Sequence, residues 1–80
     1  MKSIKVSYFA SFREKAGTAS ENMDVNAETY SELYQILAAK YGFDLPHSMI
    51  QLAVNDEFSE LHLPIAENAK VVFIPPVAGG

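Results

Sequence analysis

The sequence contains no cysteine and no tryptophan. The absence of cysteine excludes disulfide bridges, zinc–thiolate sites, iron–sulfur clusters and thiol nucleophiles, so a reducing cytoplasm suits the chain. Basic residues are also few, with six Lys and Arg against ten Asp and Glu and a formal charge of −4. Nucleic-acid binders carry a basic face, so we expect no nucleic-acid partner. No apolar run approaches the ~20 residues of a membrane span and no signal peptide is recognisable, so we expect a cytoplasmic protein without a membrane partner.

The chain is short and poor in catalytic motifs. Its 80 residues allow one domain that buries only about 60% of its unfolded surface, which leaves no room for a large catalytic cleft. His47 and His62 have no carboxylates at metal-ligand spacing, and phosphate-binding loops and serine-nucleophile motifs are absent. Asp56, Glu57 and Glu60 form either a solvated acidic edge or a docking patch for a basic partner. We therefore expect no bound cofactor, no metal and no active site within this chain.

Apolar periodicity predicts strands around one main helix. The predicted elements are a strand around 4–9, a loop or short helical turn at 13–18, a strand at 21–25, a helix at 29–41, and strands at 50–54, 58–63 and 70–74. The first strand alternates between an apolar face and a polar face, and Phe9 is an aromatic residue on the polar one. Thr29 and Glu32 form a capping-box pattern, and Gly42 is placed to end the helix. The predicted helix stripe is Tyr30, Leu33, Ile36, Leu37 and Tyr41, and further predicted core residues are Leu61, Leu63 and Ile65.

This order of elements predicts a two-layer α+β domain, in which a mixed sheet of four or five strands packs on one main helix. A helical crossover permits parallel pairing between an early and a late strand, which describes a β-grasp fold, although the pattern alone leaves the strand order open. The apolar run 71–74 suits a central strand or one whose outer face meets a partner. We predict that Phe73 and Ile74 point to opposite faces, one to the core and one to a partner, and the sequence does not decide which.

The C-terminus predicts an extended tail, 75–80, that leaves a folded domain formed by 1–74. Pro75 and Pro76 lack amide donors, so strand pairing stops there, and six residues can reach about 20 Å. Gly79 and Gly80 have no β-carbon to hinder close approach by another molecule. The tail therefore suits a narrow channel in which the terminal carboxyl carbon is attacked. An ATP-consuming partner would be the enzyme, and this chain would be its cosubstrate.

Two segments carry a family resemblance. Residues 8–17 read YFASFREKAG, and AVN at 53–55 is followed by VVFIPPVAGG at 71–80. These segments resemble the aromatic-Ala-x-x-Arg-Glu-x-x-Gly stretch and the Pro-Pro-Val-x-Gly-Gly ending of the molybdopterin synthase small subunits, a family of ubiquitin-like sulfur carriers. The resemblance covers nearly the whole chain. It departs from the family at 67–69, where ENA replaces a frequent Asp-Gly-Asp turn.

The resemblance implies that partner enzymes act on Gly80. An E1-like adenylating enzyme that uses Mg-ATP activates the carboxylate, and a persulfide sulfur donor converts it to a thiocarboxylate. The large synthase subunit, which would hold the catalytic groups, then uses the sulfur for the dithiolene of molybdopterin within a heterotetramer. The implied partner interface comprises Phe9, Phe73, Ile74, Pro75, Pro76 and Val77, and the reacting tail comprises Gly79 and Gly80.

Two other functions stay open. The chain could be a sulfur carrier for thiamine or tRNA thiolation, or a protein modifier joined to lysines, although the Pro-Pro-Val ending disfavours both. It could also be a β-grasp interaction domain with an inert tail. The mass of the C-terminus and a search for lysine conjugates would discriminate among these functions.

Overall fold

The computed structural model describes residues 1–76. Residues 77–80 lie outside this range, and with them the predicted site residues Val77, Gly79 and Gly80. In chain order the elements are β1 (Lys2–Tyr8), α1 (Ala10–Ala16), β2 (Ser20–Val25), α2 (Tyr30–Tyr41), a 3₁₀ helix (His47–Met49), β3 (Gln51–Val54), β4 (Glu57–Ser59) and β5 (Lys70–Ile74). Within 1–76 no helix is long and apolar enough to cross a membrane.

The five strands form one mixed sheet in the order β2-β1-β5-β3-β4. β5 runs parallel to β1, and every other neighbouring pair is antiparallel. The central place of β5 agrees with its continuous apolar run, since Val71 and Phe73 are both fully buried. The predicted α+β fold with a mixed sheet is therefore confirmed, and the structure shows that the parallel pair is formed by β1 and β5.

The core lies between the sheet and α2. Its members with no exposed surface are Val6, Leu33, Leu37, Val71 and Phe73. Each such side chain stabilises the fold by about 1.5–3 kcal/mol relative to an exposed position. Toward the carboxyl ends of β1 and β5 the core becomes aromatic, and there the Phe43 ring centroid lies 4.5 Å from that of Phe12 and 5.9 Å from that of Tyr8.

Residues 10–16 form a two-turn helix, α1, where the sequence predicted a loop or a short helical turn over 13–18. Burial of Phe12, which is 2% exposed, gives this segment its anchor in the aromatic core. Gly17 ends α1 with φ of 75°, in the left-handed region that glycine adopts without strain. The fold therefore has a short helix, α1, in addition to the main helix that the sequence predicted.

The predicted ends of α2 are confirmed, with one change in the capping box. The Thr29 hydroxyl accepts a hydrogen bond from the Glu32 amide at 3.2 Å. The Glu32 carboxylate accepts from the Glu28 amide at 3.0 Å, one residue before the cap. Gly42 ends the helix with φ of 77° and donates its amide to the Ala38 carbonyl.

One position of the predicted α2 stripe is wrong. Ile36 is 46% exposed, whereas Tyr34 is 2% exposed and faces the core. The ring of Tyr34 lies 5.5 Å from Phe73 and 6.1 Å from Phe43. The aromatic core thus orients the helix toward Tyr34, a tertiary preference that the helical spacing alone does not contain.

β4 ends at Ser59, so the observed strand is shorter than the one predicted over 58–63. Beyond this point the Leu61 and Leu63 carbonyls accept hydrogen bonds from the amides of Ser31 and Tyr30 at the start of α2. The first amides of a helix lack partners within the helix, so the loop supplies them. This course leaves Leu63 38% exposed, so its predicted place in the core is wrong, whereas Ile65 is buried as predicted.

Two tight turns adopt left-handed backbone conformations. Asn55 and Asp56 have φ of 53° and 71°, and Asn68 has φ of 60°. Short polar side chains tolerate this region through local hydrogen bonding. Asn68 therefore provides a left-handed turn at the segment where the sequence departs from the Asp-Gly-Asp pattern.

Candidate protein-interaction site

The face of the sheet that points away from α2 carries five apolar side chains, here called the outer-face patch: Phe9, Ala53, Phe58, Val72 and Ile74. Ala53 lies opposite Phe58 on β4 and opposite Val72 on β5, and directly paired residues share a face. Ile74 follows Val72 by two positions and therefore shares that face. Phe9 lines one cavity with Ala53, Val72 and Ile74. The register of the strands thus assembles residues from four segments into one surface.

The outer-face patch is unusually open for so small a domain. Phe58 is 78% exposed and Phe9 is 52% exposed. The other three members are half-buried. Contiguous exposed apolar side chains rimmed by polar groups mark interaction surfaces in soluble proteins. The patch therefore has the character of a protein-binding site.

Basic side chains border the outer-face patch although the chain is acidic overall. Lys5 lies opposite Lys70 on the neighbouring strand, and Arg13 lines the same cavity as Phe9. The Lys70 ammonium lies 3.0 Å from an Asp56 carboxylate oxygen. Exposed pairs of this kind contribute little to stability. Asp56 lines the same cavity, so the border of the patch carries charges of both signs.

Phe9 and Ile74, two predicted interface residues, lie together on this surface, whereas Phe73 does not. The alternation of β5 sends Phe73 inward, where it has no exposed surface, and sends Ile74 outward. The predicted opposition of these two side chains is confirmed. The place of Phe73 in the interface is corrected, because Phe73 is a core residue.

β5 ends at Ile74, and the two prolines that follow it differ in burial. Pro75 is buried and Pro76 is exposed. Pro75 therefore belongs to the folded body, and its predicted role as an interface residue is also corrected. Five residues from Pro76 onward can reach about 16 Å when extended. Contact of Phe9, Ile74 and Pro76 with a partner stays a prediction.

Phe58 is a surface residue that the sequence analysis missed. Its predicted place was the start of a short strand, with no face assigned. Asn55 and Asp56 are residue types that form tight turns, and a two-residue hairpin turn at this place implies the pairing of Ala53 with Phe58 that the structure shows. Because Ala53 also pairs with Val72, this register was the signal that could have placed Phe58 on the outer face.

A polar network lies immediately behind Phe9. One Glu21 carboxylate oxygen accepts hydrogen bonds from the Tyr8 hydroxyl at 2.6 Å and from the Tyr41 hydroxyl at 2.5 Å. The Lys40 ammonium lies 3.8 Å from the other oxygen. The network ties β1, β2 and α2 together at the end of β1 from which Phe9 projects.

The electrostatics of this network lower the pKa of Glu21 and raise that of Tyr8. Burial acts to raise the pKa of Glu21, but the hydrogen bonds from Tyr41 and Tyr8 and the charge of Lys40 outweigh it, so the pKa lies below its usual value. Burial, together with the hydrogen bond to Glu21, raises the pKa of Tyr8 far above its ordinary range. Glu21 is therefore charged and Tyr8 is neutral at neutral pH.

The histidines and acidic residues do not assemble a metal site. The His47 ring packs edge-on against Tyr34, with ring centroids 5.1 Å apart. His62 lies 3.4 Å from a Glu60 carboxylate oxygen at the surface. In the part of the chain that the structure describes, no group of three or more His, Asp or Glu side chains is placed to hold a metal ion.

Comparison with known proteins places this chain in a family. The model of the ThiS family matches residues 6–80. The molybdopterin synthase sulfur carrier subunit of Escherichia coli (strain K12) is 32% identical over 80 residues, which cover 96% of this chain and 99% of that protein. The protein of the same name from Chlamydomonas reinhardtii is also 32% identical, with 96% and 98% covered.

Solved structures show the same fold. SAMP1 from Haloferax volcanii has a TM-score of 0.78 at 24% identity and covers 98% of this chain and 99% of its own. The putative molybdopterin converting factor subunit 1 from Pyrococcus furiosus has a TM-score of 0.77 at 22% identity, with 96% and 100% covered. Urm1 from Trypanosoma brucei has a TM-score of 0.71 at 17% identity, with 99% and 96% covered. These likenesses confirm the ubiquitin-like β-grasp fold, and with the family match they show that the chain belongs to the ThiS family of ubiquitin-like sulfur carriers.

Proposed function

We propose that the chain is the sulfur carrier subunit of molybdopterin synthase and that the Gly80 carboxyl group carries the sulfur. The observation that supports this most directly is the position of the outer-face patch. Its member Ile74 lies two residues before Pro76, the first exposed residue of a tail that ends in two glycines. A partner that covers the patch is thereby adjacent to the point where the tail leaves the domain.

This arrangement supports sulfur transfer in which the chain contributes only the position of its tail. Docking of the patch would hold Pro76 at a set place on the partner, and the four residues that follow could then reach about 13 Å into a channel. Holding two reacting atoms within about 3–3.5 Å of each other can lower much of the free-energy barrier that a bimolecular reaction has. No side chain of this protein needs to act as an acid or a base, and the catalytic groups would belong to the partners.

The proposed chemistry begins with an E1-like enzyme and Mg-ATP. A Gly80 carboxylate oxygen attacks the α-phosphorus of ATP, and pyrophosphate leaves. A persulfide sulfur then attacks the acyl carbon, AMP leaves, and an acyl disulfide forms. A second thiol attacks the donor sulfur, which releases the thiocarboxylate and leaves a disulfide on the donor side. The large synthase subunit then uses this sulfur for the dithiolene of molybdopterin.

The outer-face patch would serve the adenylating enzyme and the large subunit in turn. Both partners must bind the same tail, and the tail begins beside this one patch. The complex with the adenylating enzyme and the complex with the large subunit would therefore exclude each other. Lys5 and Arg13 favour a partner surface with acidic groups near an apolar centre, whereas Lys70 is already paired with Asp56. In the proposed heterotetramer, each small subunit binds one large subunit through this face.

Intact-mass measurement tests the proposal. The chain is incubated with the adenylating enzyme, Mg-ATP and a persulfide donor, and the mass should rise by the difference between sulfur and oxygen. The matched control is a chain that lacks Gly80, which shortens the tail by about 3.3 Å, the whole contact distance of the reaction. This variant should keep its melting temperature and its affinity for the large subunit, because it retains the patch.

Three results would contradict the proposal. One is normal sulfur loading of the chain without Gly80, since the reaction would then not depend on tail length. Another is failure of the loaded parent chain to give molybdopterin when the large subunit and the pterin precursor are present. Formation of lysine conjugates in place of the thiocarboxylate would assign the chain to the protein modifiers.

A further inference from the structure

Ala10 adopts a backbone conformation that its side chain disfavours. Its φ is 50°, in the left-handed region, where a β-carbon crowds the following carbonyl oxygen. Within 1–76 the other non-glycine residues with positive φ are Asn55, Asp56 and Asn68, whose polar side chains tolerate this region. Ala10 is exposed, so its methyl group gains no burial that would offset the strain.

The left-handed turn at Ala10 joins β1 to α1 without a linker. Phe9 is still extended, with φ of −120° and ψ of 150°. Its carbonyl accepts hydrogen bonds from the amides of Phe12 at 3.0 Å and Arg13 at 3.4 Å. The backbone of Phe9 is therefore held between the last residue of a strand and the first turn of a helix, and its side chain lies on the outer face.

Contacts of α1 hold Ala10 in this conformation. Phe12 packs into the aromatic core, 4.5 Å from Phe43 between ring centroids. The Lys15 ammonium donates to the Gly42 carbonyl at 3.0 Å and lies 3.3 Å from an Asp44 carboxylate oxygen. A right-handed residue 10 would turn α1 away from both contacts, so the core and the ammonium group together maintain the strained turn.

We propose that Ala10 is a positioning residue for Phe9. The β-carbon of Ala10 restricts the φ and ψ angles that residue 10 can adopt. Phe9, the preceding residue, is therefore already ordered before a partner binds the outer-face patch. Glycine would reach the same φ without strain but would explore a much wider range. Strain that packing maintains at an interaction site is a known means of ordering a binding group in advance. The identity of the partner in this inference rests on the proposed function, whereas the ordering of Phe9 does not.

Chemical synthesis of the chain with D-alanine at position 10 separates strain from order. D-alanine favours positive φ and retains a β-carbon, so it should relieve the strain and keep Phe9 ordered. Ala10→Gly should relieve the strain and lose the order. Ala66→Gly is the matched control, because Ala66 is an exposed loop alanine that is not among the positive-φ residues.

The first measurement needs no partner. The amide order parameter of Phe9, obtained by ¹⁵N relaxation, should be near 0.85 in the parent and in the D-alanine protein, and should fall toward about 0.6 in Ala10→Gly. The melting temperature of Ala10→Gly should equal or exceed that of the parent, whereas Ala66→Gly should lower it. An unchanged Phe9 order parameter in Ala10→Gly would overturn the inference.

The second measurement is affinity for the large subunit of molybdopterin synthase. Ala10→Gly should raise the dissociation constant about three- to tenfold, because Phe9 must then be ordered on binding. The D-alanine protein and Ala66→Gly should bind as the parent does. Equal affinity of Ala10→Gly and the D-alanine protein would overturn the inference. Absence of binding by the parent would refute the proposed function, and the order parameters of Phe9 would still decide the role of Ala10.

Discussion

Replacement of Glu21 by alanine should destabilise the fold by about 2–4 kcal/mol. The Glu21 carboxylate is the shared acceptor for two tyrosine hydroxyls that come from different elements. Its removal leaves the Tyr8 hydroxyl without a partner on a side chain that is 1% exposed. An unsatisfied buried donor costs about 1–3 kcal/mol. Tyr41 is only half-buried, so water can replace part of its lost bond, which adds about 1 kcal/mol.

A double-mutant cycle with Tyr8→Phe measures this coupling. In the parent, Tyr8→Phe removes a hydrogen bond to a charged group and should cost about 1.5–3 kcal/mol. In Glu21→Ala it removes a hydroxyl that has no partner, so it should cost nothing or stabilise the fold. Urea unfolding followed by near-ultraviolet circular dichroism of the tyrosines gives both values. An equal cost of Tyr8→Phe in the two backgrounds would refute the reasoning.

The pH dependence of stability gives an independent check on Glu21. Its pKa in the folded protein lies below the ordinary value of 4.5. A carboxyl group with a lowered pKa stabilises the fold fully above its unfolded value, and the contribution is lost as the pH falls through the folded value. The parent should therefore lose stability below about pH 4.5, and Glu21→Ala should lose less over the same interval. Equal slopes for the two proteins would show that Glu21 makes no such contribution.

Three further outcomes are expected. Phe73→Ala should cost about 3–5 kcal/mol of stability, because removal of a fully buried ring leaves a cavity. Ile74→Ala should cost about 1 kcal/mol or less and should weaken binding of the large subunit about tenfold. Equal losses of stability in the two variants, without loss of binding, would contradict the assigned faces. Gly42→Ala should cost about 1 kcal/mol through its positive φ alone, since an added β-carbon would meet no atom within 4 Å; a loss of several kcal/mol would reveal a steric contact. The thiocarboxylated chain without a large subunit should yield no molybdopterin from the pterin precursor, and substantial turnover would contradict the role of cosubstrate.

The sequence by itself determined the elements that local patterns encode. Alternation placed β1, and the continuous apolar run placed β5 and suited a central position for it. The hydroxyl of Thr29 and the missing β-carbon of Gly42 marked the two ends of α2, because capping depends on a few neighbouring residues. The ending of the chain carried the family resemblance. Each of these features depends on residues that are close together along the chain.

Only the tertiary structure decided which residues face the core and which form the surface at the site. The aromatic core turned α2 toward Tyr34 and away from Ile36, and buried Phe73 and left Ile74 outside. The register of β3 with both of its neighbours brought Phe58 into the outer-face patch. These outcomes depend on contacts between segments that are distant in sequence, and local periodicity does not specify which distant segments meet. The left-handed turn at Ala10 is of the same kind, because the burial of Phe12 and the Lys15 contacts impose a conformation that alanine alone would avoid.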